Sequence, residues 1–138
     1  MHKGFLKTAS ILAALTVMAG AFAAHGLKGK IGDHALVTFE TAVRYQFYHV
    51  IALFLTGIVY KDFAYATVKW AGWFFISGIV LFSGSLYLLA VKQAMVSPGF
   101  SWVGPITPLG GLAFIIGWLL LALSFFRRNK TASIQHTV

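Results

Sequence analysis

The sequence contains no cysteine, only three prolines and only three acidic residues. Without thiols the chain has no disulfide and no thiolate metal site. The acids are Asp33, Glu40 and Asp62, too few for a carboxylate-lined coordination site. Charge is scarce altogether. Lys, Arg, Asp and Glu make up 10% of the chain and 59% is hydrophobic. Soluble domains carry about 25% charged residues, so this composition points to lipid as the solvent. The net charge of +8 comes from 11 Lys and Arg. These basic residues flank apolar runs, the pattern of anchors facing anionic lipid. No aromatic–basic stripe or other nucleic-acid signature accompanies them, so no nucleic-acid partner is expected.

Four apolar segments are present, at about 5–24, 43–60, 68–91 and 106–126. Each reaches or approaches the roughly 20 residues that cross a hydrocarbon core of about 30 Å. Long unbroken apolar runs are helical rather than barrel-like, since a barrel strand alternates. The predicted fold is therefore all-α: a single-domain, four-helix transmembrane bundle of up-down topology, with both termini on one side. The first segment has a rival reading. Lys3 and Lys7 precede an apolar stretch that ends in Ala21-Phe22-Ala23, a pattern shared with cleaved leaders. Its small residues, Ala13, Ala14, Ala19, Gly20, Ala21, Ala23 and Ala24, also suit close helix packing, and a retained helix is expected.

Residues 25–32 read as a loop broken by Gly26, Gly29 and Gly32. Asp33 is the expected N-cap of the second helix. No proline interrupts the chain from there to Tyr60, so one helix over 34–60 is predicted, roughly 40 Å long. Its first turns outrun the apolar core and belong at the interface. Glu40 and Arg44 are four apart and can pair on one face. Thr38, Tyr45, His49 and Thr56 share a stripe at 100° per residue, with Gln46 beside it. That stripe should face the bundle interior, where hydroxyl and imidazole groups find partners. In the third segment, Ala71, Gly78 and Ser85 recur every seven residues, as do Ser77 and Gly84, a signal for close helix contact. The loop 96–104 carries Pro98, Gly99 and Trp102, the last an expected interfacial anchor. The fourth helix opens on Pro105 and Pro108, well tolerated in a first turn, followed by Gly110-Gly111. The basic tail 127–138 is expected to be polar and mobile.

In a four-span arrangement one side holds Lys3, Lys7, Lys61, Lys69, Arg127, Arg128 and Lys130, and the other holds Lys28, Lys30, Arg44 and Lys92. That bias predicts cytoplasmic termini. His25, Glu40, Arg44, Tyr45, Gln46, His49, Ser83, Ser85, Tyr87 and Thr107 then converge on the non-cytoplasmic half. They form the candidate site, with Glu40, Arg44, His49, Ser85 and Tyr87 expected in one network between the second and third helices. On that reading Arg44→Ala should destabilise more than Lys92→Ala, because Lys92 is free to snorkel.

The blocks Gly20-Ala21-Phe22-Ala23-Ala24-His25-Gly26-Leu27, Glu40-Thr41-Ala42-Val43-Arg44-Tyr45-Gln46-Phe47-Tyr48-His49, Leu81-Phe82-Ser83-Gly84-Ser85-Leu86-Tyr87, Thr107-Pro108-Leu109-Gly110-Gly111 and Gly117-Trp118 occur in this order. Together they resemble the transmembrane protein 256 family, also called domain of unknown function 423. In that family a glycine often precedes the Ala-His pair, where this chain has Ala23. The resemblance implies a small integral membrane protein of bacteria and mitochondria and brings no activity, cofactor or substrate.

Function must then be argued from the residues. The leading expectation is a non-enzymatic component of the bacterial inner membrane, without a cofactor. It would bind lipid or join a larger membrane complex or homo-oligomer, since no nucleophile–base–acid set is present. A small transporter or channel is the first alternative, although four short helices enclose little volume and an oligomer would be needed. A haem or redox protein using His25 and His49 is the second, since imidazole is a common axial ligand. An enzyme would have to use His49 as base, with Glu40 and Arg44 on an anionic headgroup.

Overall fold

The computed structural model describes residues 1–63, 66–95 and 103–126. Among them are four helices long and apolar enough to cross a membrane: α1 (Lys3–Leu27), α2 (Asp33–Val59), α3 (Ala66–Met95) and α4 (Ile106–Phe126). Contacts between neighbours fix an up-down order. At one end of α1 the His2 amide donates to Gly57 O of α2 at 2.8 Å, and at the other Phe22 meets the Phe39 ring. Helix α3 runs back along α2, Phe39 meeting Tyr87 and Tyr45 meeting Phe82. Helix α4 returns along α3 and ends with Phe125 edge-on to Phe63, near the α2–α3 turn. The start of α1 and the end of α4 thus share one end of the bundle.

The core is aliphatic and aromatic. Phe5 and Ala9 of α1, Val50, Ala52 and Leu53 of α2, Ala71, Phe75 and Ile79 of α3, and Phe114 and Leu121 of α4 are buried together. Helix α1 packs into the bundle and contributes Phe5 at 2% exposure. In lipid no hydrophobic drive pulls helices together, so close packing carries the association. Two glycines show how close the backbones come. A β-carbon on Gly78 would collide with the Phe114 ring, and one on Gly110 would lie 2.7 Å from Phe82 Cα. These sites need the missing side chain rather than an unusual backbone conformation.

Two segments depart from regular α-helix. Residues Phe22–Leu27 and Ile79–Ser83 form π-helical turns. In the second, the Gly84 amide reaches back five residues to Ile79 O. Such a turn takes in one more residue than an α-turn, so it reorients the side chains beyond it. Several sequence-based boundaries change accordingly. His25 lies in the π turn that extends α1, not in a loop. Helix α3 is longer than 68–91. Gly32, in extended conformation and without a side-chain bond, occupies the N-cap of α2 that Asp33 was expected to fill. Asp33 instead opens the helix, where its carboxylate faces the positive end of the dipole. Pro98, Gly99, Trp102 and the tail 127–138 lie outside the described residues.

The Gly110–Phe82 approach sets a test. Gly110→Val drives its side chain into the Phe82 backbone and should cost about 1–3 kcal/mol, seen as a lower thermal midpoint in detergent. Gly84→Ala meets nothing within 4 Å. It should leave stability within about 0.5 kcal/mol of the parent.

Candidate functional site

The polar residues of the interior form three separate chains of hydrogen bonds rather than one network. The first crosses three helices. Tyr87 of α3 donates its hydroxyl to Gln46 Oε1 of α2 at 3.0 Å. Gln46 Nε2 donates to Thr16 Oγ1 of α1 at 2.8 Å, and Thr16 donates to Leu12 O at 2.6 Å. Each hydroxyl has one hydrogen to give, so the chain has a single direction from Tyr87 to the α1 backbone. Gln46 is 7% exposed and Thr16 2%.

The second chain joins α2 to α4. Trp118 Nε1 lies 3.3 Å from His49 Nε2, and His49 Nδ1 lies 2.8 Å from Tyr45 O. Indole N–H only donates, so Nε2 accepts. Nδ1 then carries the hydrogen and donates to the carbonyl, which defines a neutral imidazole in one tautomer. The ring is stacked flat on Phe114, centroids 3.4 Å apart. The third chain joins α3 to α4. Ser85 Oγ donates to Phe82 O at 2.9 Å, leaving Thr107 Oγ1 to donate to Ser85 Oγ at 2.7 Å. Each chain satisfies groups that would be costly to leave unpaired in lipid.

The remaining candidates stand apart. Glu40 and Arg44 are both exposed. No ion pair joins them, and the ion pair found among the described residues is Lys61–Asp62. Spacing of four permits a contact without requiring it. At the exposed rim of α2 the two side chains gain more from solvent and headgroups than from each other. The expected inclusion of Glu40 and Arg44 in an interior network is thus corrected, and with it the expected cost of Arg44→Ala. Tyr45, 39% exposed, faces the α2–α3 edge with its ring 4.7 Å from Phe82. Thr38 and Thr56 satisfy themselves on their own helix, bonding His34 O and Ala52 O. His25 is exposed in the α1 π turn. Ser83 is fully buried in the α3 π turn and its hydroxyl has no partner among the described residues. Nothing in the structure explains that.

Two partners in these chains were not among the sequence candidates, buried Thr16 and partly exposed Trp118. Thr16 is a hydroxyl between Ile11 and Gly20 in an otherwise apolar stretch. Trp118 sits well inside α4 rather than at its end, where interfacial tryptophans collect. A tryptophan at that depth needs a partner for its N–H, and that was the available signal.

Four apolar antiparallel helices that pair Gln46, His49, Ser85 and their partners across helix boundaries define a multi-pass helical membrane protein. The chain belongs to the family described as "Protein of unknown function (DUF423)", which matches residues 19–111. It is similar to UPF0382 membrane protein SAB0533 of Staphylococcus aureus (strain bovine RF122 / ET3-1), 44% identical over 91% of this chain and 97% of the relative. UPF0382 membrane protein YwdK of Bacillus subtilis (strain 168) is 44% identical over 88% of this chain and 95% of its own length. UPF0382 membrane protein SH2409 of Staphylococcus haemolyticus (strain JCSC1435) is 42% identical over 91% of this chain and 97% of the relative. No solved structure matches the chain. It is a small integral membrane protein whose family carries no assigned activity.

Gln46 is the joint of the three-helix chain, which yields a prediction. Gln46→Leu strands the Tyr87 hydroxyl and removes two interhelical bonds. Membrane hydrogen bonds average about 0.6 kcal/mol each, so a loss of about 1–2 kcal/mol is expected. Arg44→Ala and Glu40→Ala should each stay within about 0.5 kcal/mol. Thermal unfolding of the three variants in one detergent measures the order.

Proposed function

We propose that this protein is a non-enzymatic membrane component that works through its outer surface, by holding lipid or joining a larger assembly in the bacterial inner (plasma) membrane. The supporting observation is the closure of its interior. The imidazole of His49, the amide of Gln46 and the phenol of Tyr87 are all engaged by neighbouring helices. None is left as a poised acid or base facing a substrate cavity. His49 Nε2 cannot accept from Trp118 and ligate iron at once, which weighs against the haem alternative. Leu53 and Phe75, each at 0% exposure, fill the centre of the bundle, which weighs against a solute path through one copy. The outside, by contrast, presents Phe47, Tyr48, Phe54, Trp70 and Trp73 to the bilayer.

The same reading puts both termini in the cytoplasm, on the bias of basic residues toward that end. A green fluorescent protein fused after Val138 should then fluoresce, and alkaline phosphatase fused there should be inactive. The reverse pair of results inverts the orientation. For the functional reading itself, the test is purification from native membranes in a mild detergent, followed by protein and lipid mass spectrometry. Retained lipid or a stoichiometric membrane partner is expected. A lone monomer without either overturns the proposal.

A further inference from the structure

Near the start of α3 a groove of about 520 Å³ opens to the outside, lined by Ala66, Lys69, Trp70 and Trp73. The four residues follow helical spacing of three and four, so they share one face. Lys69 is exposed, and the indoles are 60% and 50% exposed. Trp73 packs at a steep angle to the Phe5 ring, centroids 6.1 Å apart. Farther along the same face Ser77 and Val80 are exposed. From Lys69 to Val80 the helix rises about 16 Å, close to the hydrocarbon depth of one leaflet.

We propose that this face of α3 binds one anionic phospholipid in the leaflet on the side of the termini. The site deepens, and rests on, the lipid-holding reading above. The Lys69 ammonium sits where a headgroup phosphate lies, and charge complementarity selects an anionic lipid over a zwitterionic one. Trp70 and Trp73 flank the glycerol and upper acyl region, the depth that indole rings favour. The small side chains of Ala66 and Ser77 leave room between them for the lipid.

The test is native mass spectrometry of the full chain in detergent with equal phosphatidylglycerol and phosphatidylcholine. The wild type should carry one lipid and prefer phosphatidylglycerol about fivefold, the effect of one interfacial lysine. Lys69→Ala should bring that ratio to about one. Lys92→Ala, at the opposite end of the same helix, should leave it unchanged. Trp70→Ala should lower occupancy by both lipids alike. An unchanged ratio in Lys69→Ala, or an equal loss in Lys92→Ala, overturns the site while leaving lipid holding intact. Wild type that retains no lipid of either class overturns both the site and the lipid-holding reading. The chain has no other thiol, so Trp70→Cys reports on a competing occupant. Efficient disulfide-linked dimers in the membrane would show that a second copy covers this face, and would also overturn the site.

Discussion

A polar group inside the hydrocarbon core must find its partner within the protein. That constraint organises this bundle. Gln46 carries a donor and an acceptor on a short stem, and the fold uses both, one toward α1 and one toward α3. His49 does the same between its own helix and α4. Helix α2 therefore supplies the amide and the imidazole, and its neighbours supply the partners. Leucine contacts tolerate sliding and rotation. Directional bonds do not, so these few pairs choose one arrangement among many that would fill space equally well.

Packing follows the same logic. The helices approach where a side chain is missing, as at Gly78 under Phe114 and Gly110 against the Phe82 backbone. Those approaches bring α3 and α4 near enough for Ser85 to meet Thr107. Phe82 takes part in both effects. Its carbonyl accepts from Ser85, and its ring lies between Tyr45 and Phe114. Aromatic stacking and hydroxyl pairing are thus built on one residue in the irregular turn of α3.

The spans were legible because apolar runs of this length have few other uses. Gln46, His49 and Ser85 were legible as buried, and Tyr87 as turned toward a partner, because a polar residue within such a run is expensive to expose. Glu40 and Arg44 were misplaced for a related reason. They lie at the start of the apolar run, and helical spacing says which residues share a face without saying what covers that face. Thr16 escaped notice because a threonine can satisfy itself on its own helix, as Thr56 does. Trp118 belongs to a block shared with the family, but nothing in its spacing points to His49 as its partner. The π turns were invisible because a reading at 3.6 residues per turn assumes the regular helix that they interrupt.

The π turn at Ile79–Ser83 amounts to one residue inserted into an otherwise continuous rod. Deleting one residue there would close the turn into regular α-helix with both halves in their present phase, since the π turn takes up the extra residue locally. Ser85 would still face Thr107 and Tyr87 would still face Gln46. The same deletion one turn further along, where the helix has no slack, would swing the outer half about 100° around the axis and part both pairs. These five positions thus act as a reservoir of chain length within α3.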